Sequence, residues 1–126
     1  MLKKNAVQDI ITELSMFDPV AIEIENEYAV LLPMEVKMLL KDYEGQFIQV
    51  GDGEHYRILD KDEILNTERH LGLDCLKMAV IPLIDCKDNN FLVYNAGKNV
   101  FEMMNIVDGM PFNRYPTLVA FWKDVH

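Results

Sequence analysis

The chain has 126 residues, half of them hydrophobic and 26% charged, which suits one globular domain spanning 1–126 and argues against an intrinsically disordered chain. Its 21 Asp and Glu outnumber 12 Lys and Arg, for a formal net charge of −9 at pH 7. Such a field repels phosphate backbones and anionic membrane surfaces, so neither direct nucleic-acid nor membrane binding is expected.

The opening Met1-Leu2-Lys3-Lys4-Asn5 leads into an amphipathic segment with Ala6, Val7, Ile10, Ile11 and Leu14 on one helical face. No signal peptide is expected from that start, and no stretch reaches the roughly twenty apolar residues of a membrane span. A cytoplasmic location follows as the expectation, with Cys75 and Cys86 as reduced core thiols. Phe17-Asp18-Pro19 breaks the first segment. The next stretch is ambiguous: Ile22-Glu23-Ile24-Glu25 alternates like a strand, while Ala21, Ile24, Tyr28 and Leu31 fit a helical stripe.

Pro33 suits a first helical turn, and Val36, Leu39, Leu40 and Tyr43 follow at offsets of three, four and seven, an amphipathic helix that Gly45 closes. Residues 47–50 and 55–59 read as strands around Gly51-Asp52-Gly53, a type I′ hairpin turn by its composition. Asp60 and Glu63 can form a capping box opening a helix that runs toward His70 and stops at Gly72. Three short apolar runs follow, residues 80–84, 91–94 and 100–107, separated by Lys87-Asp88-Asn89-Asn90 and Ala96-Gly97-Lys98. They predict a three-stranded antiparallel meander. Leu118, Phe121, Trp122 and Val125 predict a last helix entered through Pro116. The fold class is therefore α+β, a mainly antiparallel sheet with a C-terminal three-stranded meander, packed with N-terminal and C-terminal helices.

Catalytic signals are weak. Ser15 is the only serine and lacks the Gly-x-Ser-x-Gly elbow, and the histidines are His55, His70 and His126. A Cys75–His70 pair is conceivable but isolated, and His70 near a helix C-terminus has a sufficient structural role as a cation. The Gly51-Asp52-Gly53 turn lacks the further glycine and the lysine of a phosphate loop. Asp85, Asp88, Asn89 and Asn90 superficially suggest a calcium loop, without its turn glycine or distal glutamate. No enzyme, metal or cofactor is expected. Met103, Met104 and Met110 serve either as core filling or as an adaptable surface, which exposure decides.

Three stretches taken in order resemble the SUKH superfamily, small domains that include bacterial immunity proteins and a fungal cell-wall regulator. The first is Leu32-Pro33 before the helix ending Leu40-Lys41-Asp42-Tyr43-Glu44-Gly45, where Glu44 stands in place of the usual Asn. The second is Ile58-Leu59 leading into Asp62-Glu63-Ile64-Leu65-Asn66. The third is Ile81-Pro82-Leu83-Ile84-Asp85-Cys86-Lys87-Asp88-Asn89-Asn90-Phe91, with Tyr94 after it. The resemblance covers roughly residues 20–124. It implies a helix over the ambiguous segment, from about Pro19 to Tyr28, and a mainly antiparallel sheet packed with helices.

It also implies a function: binding a cognate secreted toxin inside the producing cell, as in a toxin–antitoxin-like system. A nuclease toxin carries basic residues that an acidic inhibitor can meet. The expected surface is a cleft at the sheet with acidic and amide groups, carried by Glu44, Asp52, Tyr56, Asp85, Asp88, Asn89, Asn90 and Tyr94. In the plainer alternative, Asp85 and Asn89 only hold the hairpin, Tyr56 and Tyr94 only pack, and the acidity serves solubility. A regulatory or scaffolding module without a toxin partner and a small ligand-binding or enzyme domain are the rival classes. A homodimer is compatible with so apolar a chain, although no seam is visible in its pattern.

Overall fold

The computed structural model describes residues 18–126. The helix expected over residues 6–14 and the serine at position 15 lie outside them.

The ambiguous stretch is a helix, α1 (Pro19–Tyr28). Asp18 caps it, its side chain accepting from the Val20 N–H at 3.1 Å, and Pro19 occupies the first turn, where its missing N–H costs nothing. The buried residues Ala21, Ile24 and Tyr28 keep helical spacing, whereas Ile22 is only half-buried. The strand-like alternation was therefore incidental. α2 (Met34–Tyr43) buries Val36 and Leu40. Pro33 stands one residue ahead of its first turn, at the cap. Gly45, with φ at +74°, makes the left-handed exit that a Cβ would penalise.

The helix expected to run from Asp60 to His70 is instead two short ones, α3 (Lys61–Leu65) and α4 (Thr67–Leu71). The capping box is present: Glu63 N–H donates to Asp60 Oδ1 at 2.9 Å, and Asp60 N–H to Glu63 Oε1 at 3.1 Å. The break falls at Asn66, whose amide bonds both the carbonyl and the carboxylate of Asp62 and so competes with helical backbone pairing. A further short helix, α5 (Cys75–Met78), is capped by Asp74.

Six strands form one antiparallel sheet in sequential order: β1 (Phe47–Val50), β2 (Glu54–Ile58), β3 (Val80–Asp85), β4 (Asn90–Asn95), β5 (Val100–Asn105) and β6 (Met110–Tyr115). The predicted three-stranded meander thus gains a fourth strand, β6. Only Tyr115 of β6 is buried, so no alternation of apolar and polar residues announced it. The β1–β2 connection is also corrected. Val50 pairs with Glu54, leaving the three residues Gly51, Asp52 and Gly53 rather than a two-residue type I′ turn. Pro82 lies in a central strand, where a missing N–H normally breaks the ladder; the register shift between Pro82 and Ile84 absorbs it.

β4 is buried along its middle four residues, flanked by buried stretches of β3 and β5. The pairs Arg57↔Asp85↔Phe91 and Ile58↔Ile84↔Leu92 are adjacent along these strands and so face opposite sides of the sheet. α6 (Leu118–Val125) is capped by Thr117 and seats Phe121 edge-on against Tyr115, ring centroids 5.5 Å apart. Glu35 of α2 accepts from the Leu118 N–H and joins the start of α6 to α2. Met103 and Met104 are core, while Met110 is 62% exposed.

Candidate functional site

The β3–β4 hairpin is the most constrained turn among the described residues. Lys87, Asp88 and Asn89 all take positive φ, at 69°, 56° and 64°. Asp and Asn visit this region at modest cost, but Lys87 pays the full Cβ penalty, about 1 kcal/mol or more. The surrounding bonds over-determine the turn. Asp85 Oδ1 accepts from the Lys87 N–H at 2.9 Å, the Cys86 N–H donates to the Asn90 carbonyl, and the Asn90 N–H donates to the Lys87 carbonyl. The tip is also tied sideways to the β5–β6 turn. The Ile106 N–H donates to the Asn89 carbonyl at 2.9 Å, and Asn105 Nδ2 to Asn90 Oδ1 at 3.0 Å.

Beside this hairpin lies a polar cleft of about 430 Å³, lined by Asp85, Lys87, Asp88 and Asn89 on one side and Arg57, Glu63 and His70 on the other, over Phe91 and Ile106. The register of β2 on β3 places Arg57 opposite Asp85. Glu63 of α3 then grips the Arg57 guanidinium with both oxygens, a fork that fixes the side chain. The hydrogen bond from Arg57 holds the Glu63 carboxyl below the usual range, against the opposing effect of burial. At the outer rim His70 Nε2 meets Asp62 Oδ2 at 2.7 Å, and this bond lowers the Asp62 carboxyl. The cleft therefore carries a neutralised cation–anion pair on one wall and the exposed Asp88 on the other.

Of the eight residues expected at a site, Asp85, Asp88 and Asn89 line this cleft together. Tyr56 is half-buried beside the hairpin: burial, then Cys86, Glu54 and Asp88, push its phenol up. Asn90 is spent on Asn105. Glu44 accepts from the Lys61 N–H at 2.7 Å, joining the end of α2 to the start of α3. Asp52 is exposed at the tip of the β1–β2 loop. Tyr94 is buried, its hydroxyl donating to Asn99 at 2.8 Å beyond the far end of β4. Glu44, Asp52 and Tyr94 are thus not part of the cleft.

Arg57, Glu63, His70 and Lys87 complete the cleft without having been singled out for it. Glu63 was visible only as a helix cap; nothing local marks Arg57, because its role comes from strand register.

A second depression is apolar. A groove of about 510 Å³ runs between α2, β1 and α6, lined by Leu39, Tyr43, Ile48, Ile84, Phe121 and Trp122 among others. No titratable group but Tyr43 lines it, so it has no acid–base chemistry to offer. The conceivable Cys75–His70 pair is not formed: His70 is engaged by Asp62, and Cys75 is buried, with burial pushing its thiol up to about 11. Cys86 is pushed up to about 12 for the same reason. Among the described residues no three His, Cys, Asp or Glu side chains are grouped to hold a metal ion, and no helix is long and apolar enough to cross a membrane.

No family model matches the chain, and neither a curated protein nor a solved structure matches it.

Proposed function

We propose that this chain is a cytoplasmic immunity protein of the SUKH kind, which binds a basic secreted toxin and neutralises it through the β3–β4 hairpin and its cleft. One observation carries the reading. The hairpin projects carboxylate and amide groups from a turn held in place by at least five hydrogen bonds, rather than from a loose loop. Groups ordered before binding lose little entropy on association, which makes such a turn a good recognition element. The acidic balance of the whole chain adds long-range attraction for a cationic partner and raises its rate of encounter.

The mainly antiparallel sheet packed with helices, the helix after Leu32-Pro33 and the hairpin after Ile81-Pro82 support the reading, being the features that the resemblance implies. A nuclease is the favoured toxin class, because phosphate-binding enzymes need basic surfaces. A regulatory module would use the same cleft for an endogenous partner, and one experiment separates the two. The chain is co-expressed with the product of each neighbouring gene. Rescue of growth from a toxic neighbour, lost in the D85K/D88K double variant, is the expected result. Absence of rescue from every toxic neighbour would overturn the immunity reading.

A further inference from the structure

The edge strand β6 combines two features that do not ordinarily occur together. Five of its six residues are exposed, yet it lies against Glu102, which is 3% exposed. A carboxylate that deep needs compensation. Two groups supply it: Asn95 Nδ2 donates to Oε1 at 3.0 Å, and Arg114 of β6 donates to Oε2 through Nε at 3.2 Å and Nη2 at 3.0 Å. Val93, Glu102 and Arg114 are successive partners across β4, β5 and β6, so the pair bridges the last two strands at one register position.

We propose that the Glu102–Arg114 pair is a latch, and that β6 is a displaceable edge strand which opens ahead of the rest of the sheet when the latch is released. Apart from its backbone pairing with β5, little else holds the middle of β6. Phe112 and Met110 are 55% and 62% exposed, so hydrophobic burial contributes little there. Pro111 offers no backbone donor, and the register shift between Met103 and Met104 interrupts the ladder beside it. Among the described residues, the side-chain hydrogen bonds between β6 and other elements are Arg114 to Glu102 and Tyr115 to Asp124. The second pins only the C-terminal end, where Tyr115 also packs on Phe121. Without Arg114, Glu102 retains only the amide of Asn95 while its strand stays covered. Opening then becomes the route by which the carboxylate regains water.

Amide hydrogen exchange on the full chain tests this. In the wild type, those amides among Met110, Phe112, Asn113 and Arg114 that bond to β5 should exchange faster than those of β4. R114Q should accelerate exchange in residues 110–114 by about tenfold while leaving β4 unchanged. The E102Q/R114Q double variant removes the buried charge together with its partner, and should return exchange in β6 to within about threefold of wild type. Wild-type β6 amides as protected as those of β4 would overturn the latch. So would R114Q accelerating both strands equally or neither, or the double variant exchanging as fast as R114Q.

Discussion

The polar cleft and the apolar groove differ little in size, about 430 and 510 Å³, but they are built from different parts of the chain. The groove is made where helices α2 and α6 meet β1 and β3, with the buried Ile84 and Phe121 at its base and half-buried or exposed side chains such as Ile48, Tyr43 and Val119 on its walls. The polar cleft is made where a turn, a strand and two short helices converge, and its walls carry the Arg57–Glu63 ion pair on one side and Asp85, bonded to the Lys87 backbone, and Asp88 on the other. Removing a side chain at the base of the groove, such as Phe121, should therefore damage the fold. Removing a charge from the rim of the cleft should spare the fold and damage recognition. Size alone does not distinguish the two depressions.

The largest effect that sharpens this contrast is F121A. Phe121 is 1% exposed and packs on Tyr115, so truncation should destabilise the protein by about 3–5 kcal/mol in urea unfolding. D85K/D88K comes next. It should weaken binding of the cognate partner by about 2–5 kcal/mol, read by calorimetry, and lower stability by about 1–2 kcal/mol, less than F121A, because Asp85 also accepts from the Lys87 N–H. Equal loss of stability in both variants would erase the distinction between the two depressions.

Acid should separate them further. The Glu63 carboxyl is depressed in the folded state by Arg57. Its contribution is fully present above the unfolded glutamate value, about 4.3, and is lost as pH falls through the folded value. R57Q removes the cause of that depression. Its stability should therefore fall less steeply than wild type as pH drops below about 4.5, read by urea unfolding at several pH values. The smallest effect is at the hairpin itself. K87G places a glycine at a φ of +69°, and should stabilise by about 0.5 kcal/mol, the relieved strain being partly offset by a more flexible unfolded chain. A loss of more than about 1 kcal/mol would mean that the Lys87 side chain carries a contact beyond the turn.

Legibility in the sequence followed the range of the physics. Elements set by neighbours along the chain could be read there. The spacing of Val36 and Leu40 marks α2, Asp60 and Glu63 announce their own capping box, and the turn residues after Asp85 mark the hairpin. Local competition was harder. Asn66 cuts the expected helix by bonding back to Asp62, a choice that composition does not reveal. β6 was hidden because an edge strand with one buried residue has no face to alternate about. The cleft was half-legible: its acidic hairpin is contiguous, but the opposing wall depends on Arg57 being brought to Asp85 by register and to Glu63 by the packing of α3. Conversely Tyr94 looked like a site residue from its place after the hairpin, and three positions of strand carry it toward the opposite end of the sheet.

The central claim is that the β3–β4 hairpin and its cleft hold a basic partner protein. It is tested by co-expression with each neighbouring gene product that proves toxic, comparing growth for wild type and D85K/D88K at matched levels of soluble, folded protein. Growth with the wild type and none with the double variant is the expected result. Equal growth with both would contradict it.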